Sequence, residues 1–247
     1  MPEISLGVVI VTFNSGSEAV DCAETLLASA QASGVPLRVA IVDNDSTDDT
    51  VQQVQAWISG ERPYEAADDI PFAVTPVAKP LSCREGGIDL EAADTGADLQ
   101  VSLIQTGANR GFAGGVNVGL AHLAQYPDIQ HMWVLNPDTL VPPESVGILA
   151  TGLASAGRFS LLGGRVNYVD SEEIVQTDGG LINWKTGVTR NYNVGQPSDT
   201  APPPNPEELD FITGASMVAS REFYEPELFT SDLFQGGRHG LSSWNRA

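Results

Sequence analysis

The sequence predicts an α/β fold: a mostly parallel sheet flanked by helices, with a smaller mixed region towards the C-terminus. Three observations predict it. Runs rich in Val, Ile and Leu recur at 4–13, 37–42, 101–105 and 132–135. They have strand lengths and lack apolar/polar alternation, as strands buried on both faces do. Segments with helical spacing separate or follow them, so the strands join by right-handed crossovers.

The elements follow in order. The strand at 4–13 is nearly continuous in Ile, Val and Leu. It gives way to Asn14-Ser15-Gly16-Ser17, with Ser17 the expected helix cap. Ala19, Val20, Ala23, Leu26 and Leu27 then recur on one helical face. The second strand, 37–42, stops at Asp43-Asn44-Asp45-Ser46. A helix is predicted from Thr47 to about Ile58, with acidic residues in the first turn where the helix dipole favours them. From 60 to 98 no period survives, and a long loop insertion is expected. A third strand at 101–105 leads into a Gly-rich turn and helix at 111–124. The fourth strand, 132–135, ends on Asn136-Pro137-Asp138, where Pro137 cannot continue a central ladder. A helix at 143–154 and a strand at 161–166 follow. Short strand-like pieces at 174–177 and 181–184, a Pro-rich loop at 196–206 and a strand or turn at 211–220 complete the pattern.

Composition narrows the function. The 247 residues carry 12 basic and 32 acidic side chains, a net charge of −20. That argues against nucleic acid as a partner, which would need a basic patch. An anionic ligand needs local compensation from backbone N–H groups, an Arg or a cation. Cys22, expected in a helix, and Cys83, expected in a loop, form no disulfide framework or zinc cluster. His122, His131 and His239 lack metal-ligand spacing and are expected in core or surface roles. Residues 1–7 lack the basic start of a signal peptide, and no apolar run reaches membrane-span length. A cytoplasmic location follows as an expectation, with peripheral association at the inner membrane face left open.

The polar residues at successive strand ends carry the chemistry. Thr12 and Asn14 follow strand one, and Asp43, Asn44 and Asp45 follow strand two. Asn109 and Arg110 follow strand three, and Asn136 and Asp138 follow strand four. In a parallel sheet these ends share one edge, where ligands bind. Any one of them alone is a turn or cap residue; four coinciding ends point to a site. There is no Gly-x-Gly-x-x-Gly after the first strand and no Gly-x-x-x-x-Gly-Lys-Ser/Thr, so dinucleotide and P-loop folds are disfavoured.

Together, Val11-Thr12-Phe13-Asn14, Val42-Asp43-Asn44-Asp45-Ser46, Asn109-Arg110-Gly111-Phe112-Ala113-Gly114-Gly115, Leu135-Asn136-Pro137-Asp138-Thr139 and Phe211-Ile212-Thr213-Gly214-Ala215 resemble the family 2 glycosyltransferases. Within that family they look most like bacterial rhamnosyltransferase-type members. The resemblance implies a GT-A fold with a Rossmann-like sheet over 1–247. It divides the chain into a nucleotide-sugar half (1–150, with the 60–98 insertion), an acceptor-side half (151–224) and an atypical tail (225–247). It implies sugar transfer from a nucleotide-diphosphate sugar to a saccharide or lipid-linked acceptor, inverting and assisted by Mg²⁺ or Mn²⁺, in cell-wall or surface polysaccharide synthesis.

By the same resemblance, Asp43 accepts from the pyrimidine base, Thr12 and Asn14 line the nucleoside pocket, and Asp45 belongs to the nucleotide-sugar-binding set. Arg110 reaches the nucleotide, Gly111, Gly114 and Gly115 allow close backbone approach, and Asn117 contacts sugar or ribose. Asn136-Pro137-Asp138 stands at the family's Asp-x-Asp motif, with Asp138 as metal ligand and Asn136 turned to the sugar. An inverting transfer also needs a carboxylate base. The family's acidic pair is missing after Phe234, which leaves Asp232 as the nearest candidate. The alternative is a nucleotide-sugar binder with weak or no transfer.

Overall fold

The computed structural model describes residues 5–224. β1 (Ser5–Thr12) leads to α1 (Gly16–Ser33), and β2 (Leu37–Asp43) to α2 (Thr50–Ser59). β3 (Ser82–Gly86) and β4 (Leu99–Gln105) precede α3 (Gly111–Leu123). β5 (Ile129–Leu135) is followed by α4 (Ser145–Ser155) and short β6 (Leu161–Gly163). Then come β7 (Val166–Asn167), β8 (Val175–Thr177), β9 (Gly180–Ile182), β10 (Thr189–Asn191), β11 (Ser216–Ser220) and α5 (Arg221–Tyr224).

Seven strands form one sheet in the order β3-β4-β2-β1-β5-β11-β6. The pairs from β3 to β5 are parallel; β11 runs antiparallel to both neighbours. The mostly parallel α/β fold expected from the sequence is therefore present. Alternate residues of β1 enter opposite cores. Val8 and Ile10 pack with Leu26, Leu27, Trp57 and Trp133 on the face of α1, α2 and α4. Val9 and Val11 pack with Val116, Leu120, Met132 and Val134 on the face of α3. Both faces are covered, which is why the strand reads as a continuous apolar run.

Two glycines set how close α3 lies. A Cβ on Gly115 would sit 2.6 Å from Val11 Cγ1, and one on Gly119 would sit 2.5 Å from Val9 Cγ1. Gly119→Ala is therefore expected to cost about 1–3 kcal/mol through overpacking. Urea unfolding checks this, and an unchanged midpoint would show that α3 can lift away without penalty.

Several elements differ from expectation. α1 starts at Gly16 with Ser15 at its N-cap position, so Ser17 lies inside the helix and its hydroxyl bonds Glu18 instead. α2 starts three residues later than expected, because the Asp48 carboxylate accepts the Thr50 N–H at 3.0 Å and fixes the start there. The segment 60–98 is not loop throughout. It supplies β3, paired in parallel with β4 at the sheet margin, and Cys83 lies in that strand. The strand expected at 161–166 divides into β6 and β7, and β10 lies in a stretch assigned no element. His122 is a core residue, with Nδ1 3.0 Å from the Leu90 carbonyl and Nε2 2.9 Å from the Ser102 hydroxyl.

The long segment is fastened to the helices by one side chain. Glu24 on α1 is fully buried. Its carboxylate accepts from Trp57 Nε1 at 2.5 Å, Val77 N at 2.6 Å and Lys79 Nζ at 2.7 Å. Lys79 also lies 4.7 Å over the Trp57 ring.

Candidate functional site

The parallel register aligns the strand ends. Thr12 is opposite Asp43, and Asp43 is opposite Gln105, while Ile10 is opposite Leu135. β11 begins at the same edge, with Ser216 opposite Leu135. Residues following all of these strands therefore meet along one margin. β2 and β5 stand two strand spacings apart, about 10 Å.

Asp43 closes β2 at 3% exposure. Its Oδ2 accepts the Ser46 N–H at 3.3 Å. Its Oδ1 is buried and has no hydrogen-bond partner. A carboxylate oxygen left so costs free energy unless a ligand donor reaches it.

The neighbouring loops are tied to one another. Asn14 and Asp45 both adopt left-handed backbone, with φ of 51° and 71°. Asn14 Oδ1 accepts the Thr47 N–H at 2.8 Å, and the Asn14 N–H donates to the Ser46 hydroxyl at 3.0 Å. Asn14 thus joins the loops after β1 and β2, and Asp45 is exposed beside it. Thr12 is 1% exposed, and its hydroxyl is 2.9 Å from that of Ser15, so it shapes the turn from beneath. Phe13, between them, is 45% exposed, an aromatic ring at the margin that the sequence reading left unassigned.

Asn44 is a second residue without a role in the sequence reading. It is 3% exposed. Its Nδ2 donates to Asn109 Oδ1 at 3.2 Å and the Gly111 carbonyl at 3.1 Å, and its Oδ1 accepts the Arg110 N–H at 3.0 Å. It latches the start of α3 to β2. Gly111 opens α3 with φ of 67°, in open space. A Cβ on Gly114 would meet Arg110 Cβ at 2.6 Å, and Gly115 faces Val11, so these two glycines serve local packing. The Arg110 side chain is exposed and makes no hydrogen bond or ion pair among the described residues. Asn117 is half-buried further along α3.

The Asn136-Pro137-Asp138 turn is gripped on two sides. From β11, the Ala215 carbonyl accepts the Asn136 N–H at 3.2 Å and the Thr139 hydroxyl at 3.3 Å. From α1, a polar file of Cys22, Thr25 and Ser29 tracks the chain beyond it. Cys22 Sγ donates to the Asn136 carbonyl at 3.4 Å, Thr25 Oγ1 accepts the Val141 N–H, and Ser29 Oγ accepts the Val146 N–H, both at 3.1 Å. Burial pushes the Cys22 thiol well above its ordinary range, and the nearby Asp138 charge adds to this, so it acts as a protonated donor. Asp138 itself is exposed, and Asn136 is half-buried. Gly214 approaches Phe112, where a Cβ would lie 3.2 Å from the ring, so the loop before β11 meets the start of α3. The structure thus brings Thr12, Asn14, Asp43, Asp45, Arg110, Gly111, Gly114, Asn136 and Asp138 to neighbouring strand ends. Asp232 lies outside the described residues.

Comparison with known proteins adds a match at the first of these strand ends. Residues 7–66 match the family model of glycosyl transferase family 2. The matched stretch runs from β1 past α2 and includes Thr12, Asn14, Asp43 and Asp45. No curated protein sequence matches the chain. Among solved structures, a mannosyltransferase from Pyrobaculum calidifontis in complex with GDP-Man and Mn²⁺ is similar at 15% identity and a TM-score of 0.46, over 88% of this chain and 44% of that one. S. aureus TarS 1–349 in complex with UDP-GlcNAc is similar at 17% identity and a TM-score of 0.40, over 65% of this chain and 34% of that one. Glucosyl-3-phosphoglycerate synthase from Mycobacterium tuberculosis in complex with UDP follows at 13% identity and 0.42, over 97% and 68%. The chain therefore spans less than half the length of the first two.

The donor set bears on metal binding. Among the described residues, no three His, Cys, Asp or Glu side chains group closely enough to cage an ion. One exposed carboxylate fits a different mode: a Mg²⁺ or Mn²⁺ held by a single Asp, water and the phosphates of a ligand. Asp138 suits an ion that arrives with its ligand. Among the described residues, no helix is long and apolar enough to cross a membrane.

Proposed function

We propose that this chain is a glycosyltransferase that binds a nucleotide-diphosphate sugar along the carboxyl edge of its sheet and transfers the sugar to a hydroxyl acceptor. The observation that carries the reading is Asp43 Oδ1, a buried acceptor without a partner at the edge where α/β sheets bind ligands. A pyrimidine ring N–H or a purine amide–amine edge supplies the missing donor, and the exposed Phe13 ring offers a stacking surface beside it. The match of residues 7–66 to glycosyl transferase family 2 supports the same reading.

The distance between strand ends supports it too. The span of about 10 Å from β2 to β5 suits a nucleoside with its base at Asp43 and its diphosphate towards Asp138. Two features of the chain offset the repulsion that a net charge of −20 imposes on that diphosphate. The Arg110 side chain makes no hydrogen bond or ion pair among the described residues, and the N-terminus of α3, with the positive end of its dipole, starts at the next residue. A divalent ion held by Asp138 would supply the rest and stabilise the departing diphosphate. Asn136 hydrogen-bonds the sugar. For inverting displacement, Asp232 is the candidate to take the acceptor proton. A nucleotide-diphosphate rhamnose belongs among the donors to test, since the Leu135-Asn136-Pro137-Asp138-Thr139 text resembles the rhamnosyltransferase type.

A thermal-shift panel of nucleoside diphosphates and their sugars, with and without Mn²⁺, tests the donor reading. Ligands that bind only the folded state raise its melting temperature. The expected result is a shift that is larger with Mn²⁺ in the wild type and equal with and without it in Asp138→Ala. No shift with any nucleotide would sink the donor reading, and an undiminished Mn²⁺ effect in the variant would sink the metal assignment. Release of free nucleoside diphosphate that depends on an added acceptor separates transfer from binding alone.

A further inference from the structure

A cavity of about 370 Å³ lies among Gly163, Gly164, Arg165, Asp178, Ala201, Pro203 and Pro204. That volume is within the roughly 300–1,000 Å³ of small-molecule sites. Topology relates it to the candidate site. β6 and β5 run parallel to each other on either side of β11, and Gly163 and Val134 both face Met217. The Gly164 N–H donates to the Ser216 carbonyl at 3.1 Å, and Ser216 pairs with Leu135. The cavity floor therefore stands level with the Asn136-Pro137-Asp138 turn, two strand spacings away, about 10 Å along the same margin.

The charges that line it are spent on each other. Arg165 Nε and Nη2 donate to the two oxygens of Asp178 at 2.8 and 2.7 Å. Nη1 donates to the Ser198 carbonyl at 2.5 Å, and Nη2 also donates to the Ala201 carbonyl at 3.0 Å. Asn193 bridges Asp178 Oδ2 and the Pro202 carbonyl, at 2.7 and 2.8 Å. Burial pushes the Asp178 carboxyl up, but the hydrogen bonds from Arg165 and Asn193 outweigh this and hold it below its ordinary value. The pair is thus a charged bracket that shapes the Pro-rich loop. An anionic ligand would have to strip Arg165 from Asp178, against a net charge of −20. A neutral one meets different terms. β6 pairs with no strand but β11 among the described residues, so its free edge offers backbone hydrogen-bonding groups. Ala201, Pro203 and Pro204 face it with C–H surface.

We propose that this cavity seats the acceptor, and that the acceptor group it takes is a neutral sugar ring rather than a phosphorylated or carboxylated one. The inference rests on the donor reading above, since it names the second substrate of the same margin. Saturation-transfer NMR tests it with neutral methyl glycosides and the corresponding sugar phosphates as probes. The variant is Pro203→Arg, an exposed lining position from which a long cationic side chain would occupy the cavity, since the one lining carboxylate, Asp178, is already paired with Arg165. Wild type is expected to saturate neutral glycosides in preference to sugar phosphates. Pro203→Arg is expected to lose neutral binding by about tenfold or more, with an unchanged melting temperature. The proposal is overturned if no neutral glycoside saturates the wild type, if sugar phosphates are preferred, or if the variant binds like the wild type. The nucleotide thermal shift is read separately on the same samples. Its absence would remove the donor reading while leaving the glycoside result to be judged by itself.

Discussion

Replacing Glu24 with alanine is expected to destabilise the fold by about 3–5 kcal/mol, and so to lower the melting temperature by roughly 6–20 °C. The reason is what the carboxylate leaves behind. Trp57 Nε1, the Val77 N–H and the Lys79 ammonium all point at it, and none reaches water easily. Removing the acceptor strands an ammonium that is only 14% exposed and two buried neutral donors. Glu24→Gln is expected to lose part of that amount, since its amide nitrogen would face one of the three donors. Glu24→Leu combined with Lys79→Met is expected to recover the share due to the stranded ammonium, because a buried ion pair replaced whole by apolar groups is often near neutral, while the share of the Trp57 and Val77 donors remains lost. Differential scanning calorimetry on the set checks the sign and the order. A loss below about 1 kcal/mol in Glu24→Ala would place this pair among weak surface ion pairs instead. The effect is also expected to be local at first. The fastening holds 77–81, so amides of 60–86 should exchange faster in Glu24→Ala than those of β1 or β2.

Glu24 also shows where sequence reading stops. Nothing in the pattern separates a buried Glu on α1 from an exposed one, because its partners come from 57, 77 and 79, through a segment without period. The same gap hid β3. Ser82–Gly86 carries Cys, Arg, Glu and Gly, as a half-buried marginal strand can, and only its pairing with β4 makes it regular. By contrast, β1, β2 and the 132–135 stretch of β5 were legible because burial on both faces forces apolar residues at nearly every position, and β4 through Val101, Leu103 and Ile104. Their polar ends were legible for the opposite reason: Asp43 and Asn136 interrupt runs that would otherwise continue. What the sequence could not rank was which polar residue faces a ligand and which holds the loop. Asn44 and Asp43 are adjacent and equally buried, yet Asn44 has its polar atoms engaged and Asp43 keeps one oxygen free. Gly115, placed with the ligand-loop glycines by the resemblance, packs as a spacer against Val11. Arg165 and Asp178 lie 13 residues apart on no common motif, and their bracket is visible only once β7 and β8 pair.

Asp43→Ala is expected to change binding and stability in opposite directions. A hydrogen bond from a ligand donor to a buried carboxylate is worth about 1.5–3 kcal/mol. Nucleoside diphosphate affinity should therefore fall about 10- to 100-fold in the variant. The fold should not suffer in proportion. Asp43 gives the protein one long hydrogen bond, from Ser46 at 3.3 Å, while its other oxygen has no partner to lose. Removing a buried, half-satisfied carboxylate relieves a desolvation cost, so the melting temperature without ligand should hold or rise. Asp43→Asn should fall between the two in affinity. Its oxygen can still accept from the base, but its amide then faces the Ser46 N–H, donor against donor. The metal dependence separates this residue from Asp138. The loss in Asp43→Ala should be the same with and without Mn²⁺, because the base lies two strands from the diphosphate, whereas the loss in Asp138→Ala should appear only with Mn²⁺ present. Isothermal titration of one nucleoside diphosphate against the wild type and the three variants, in both conditions, reads all of these terms. A stable Asp43→Ala with wild-type affinity would take the free oxygen out of ligand recognition, and the functional reading of the sheet edge would lose the observation that carries it.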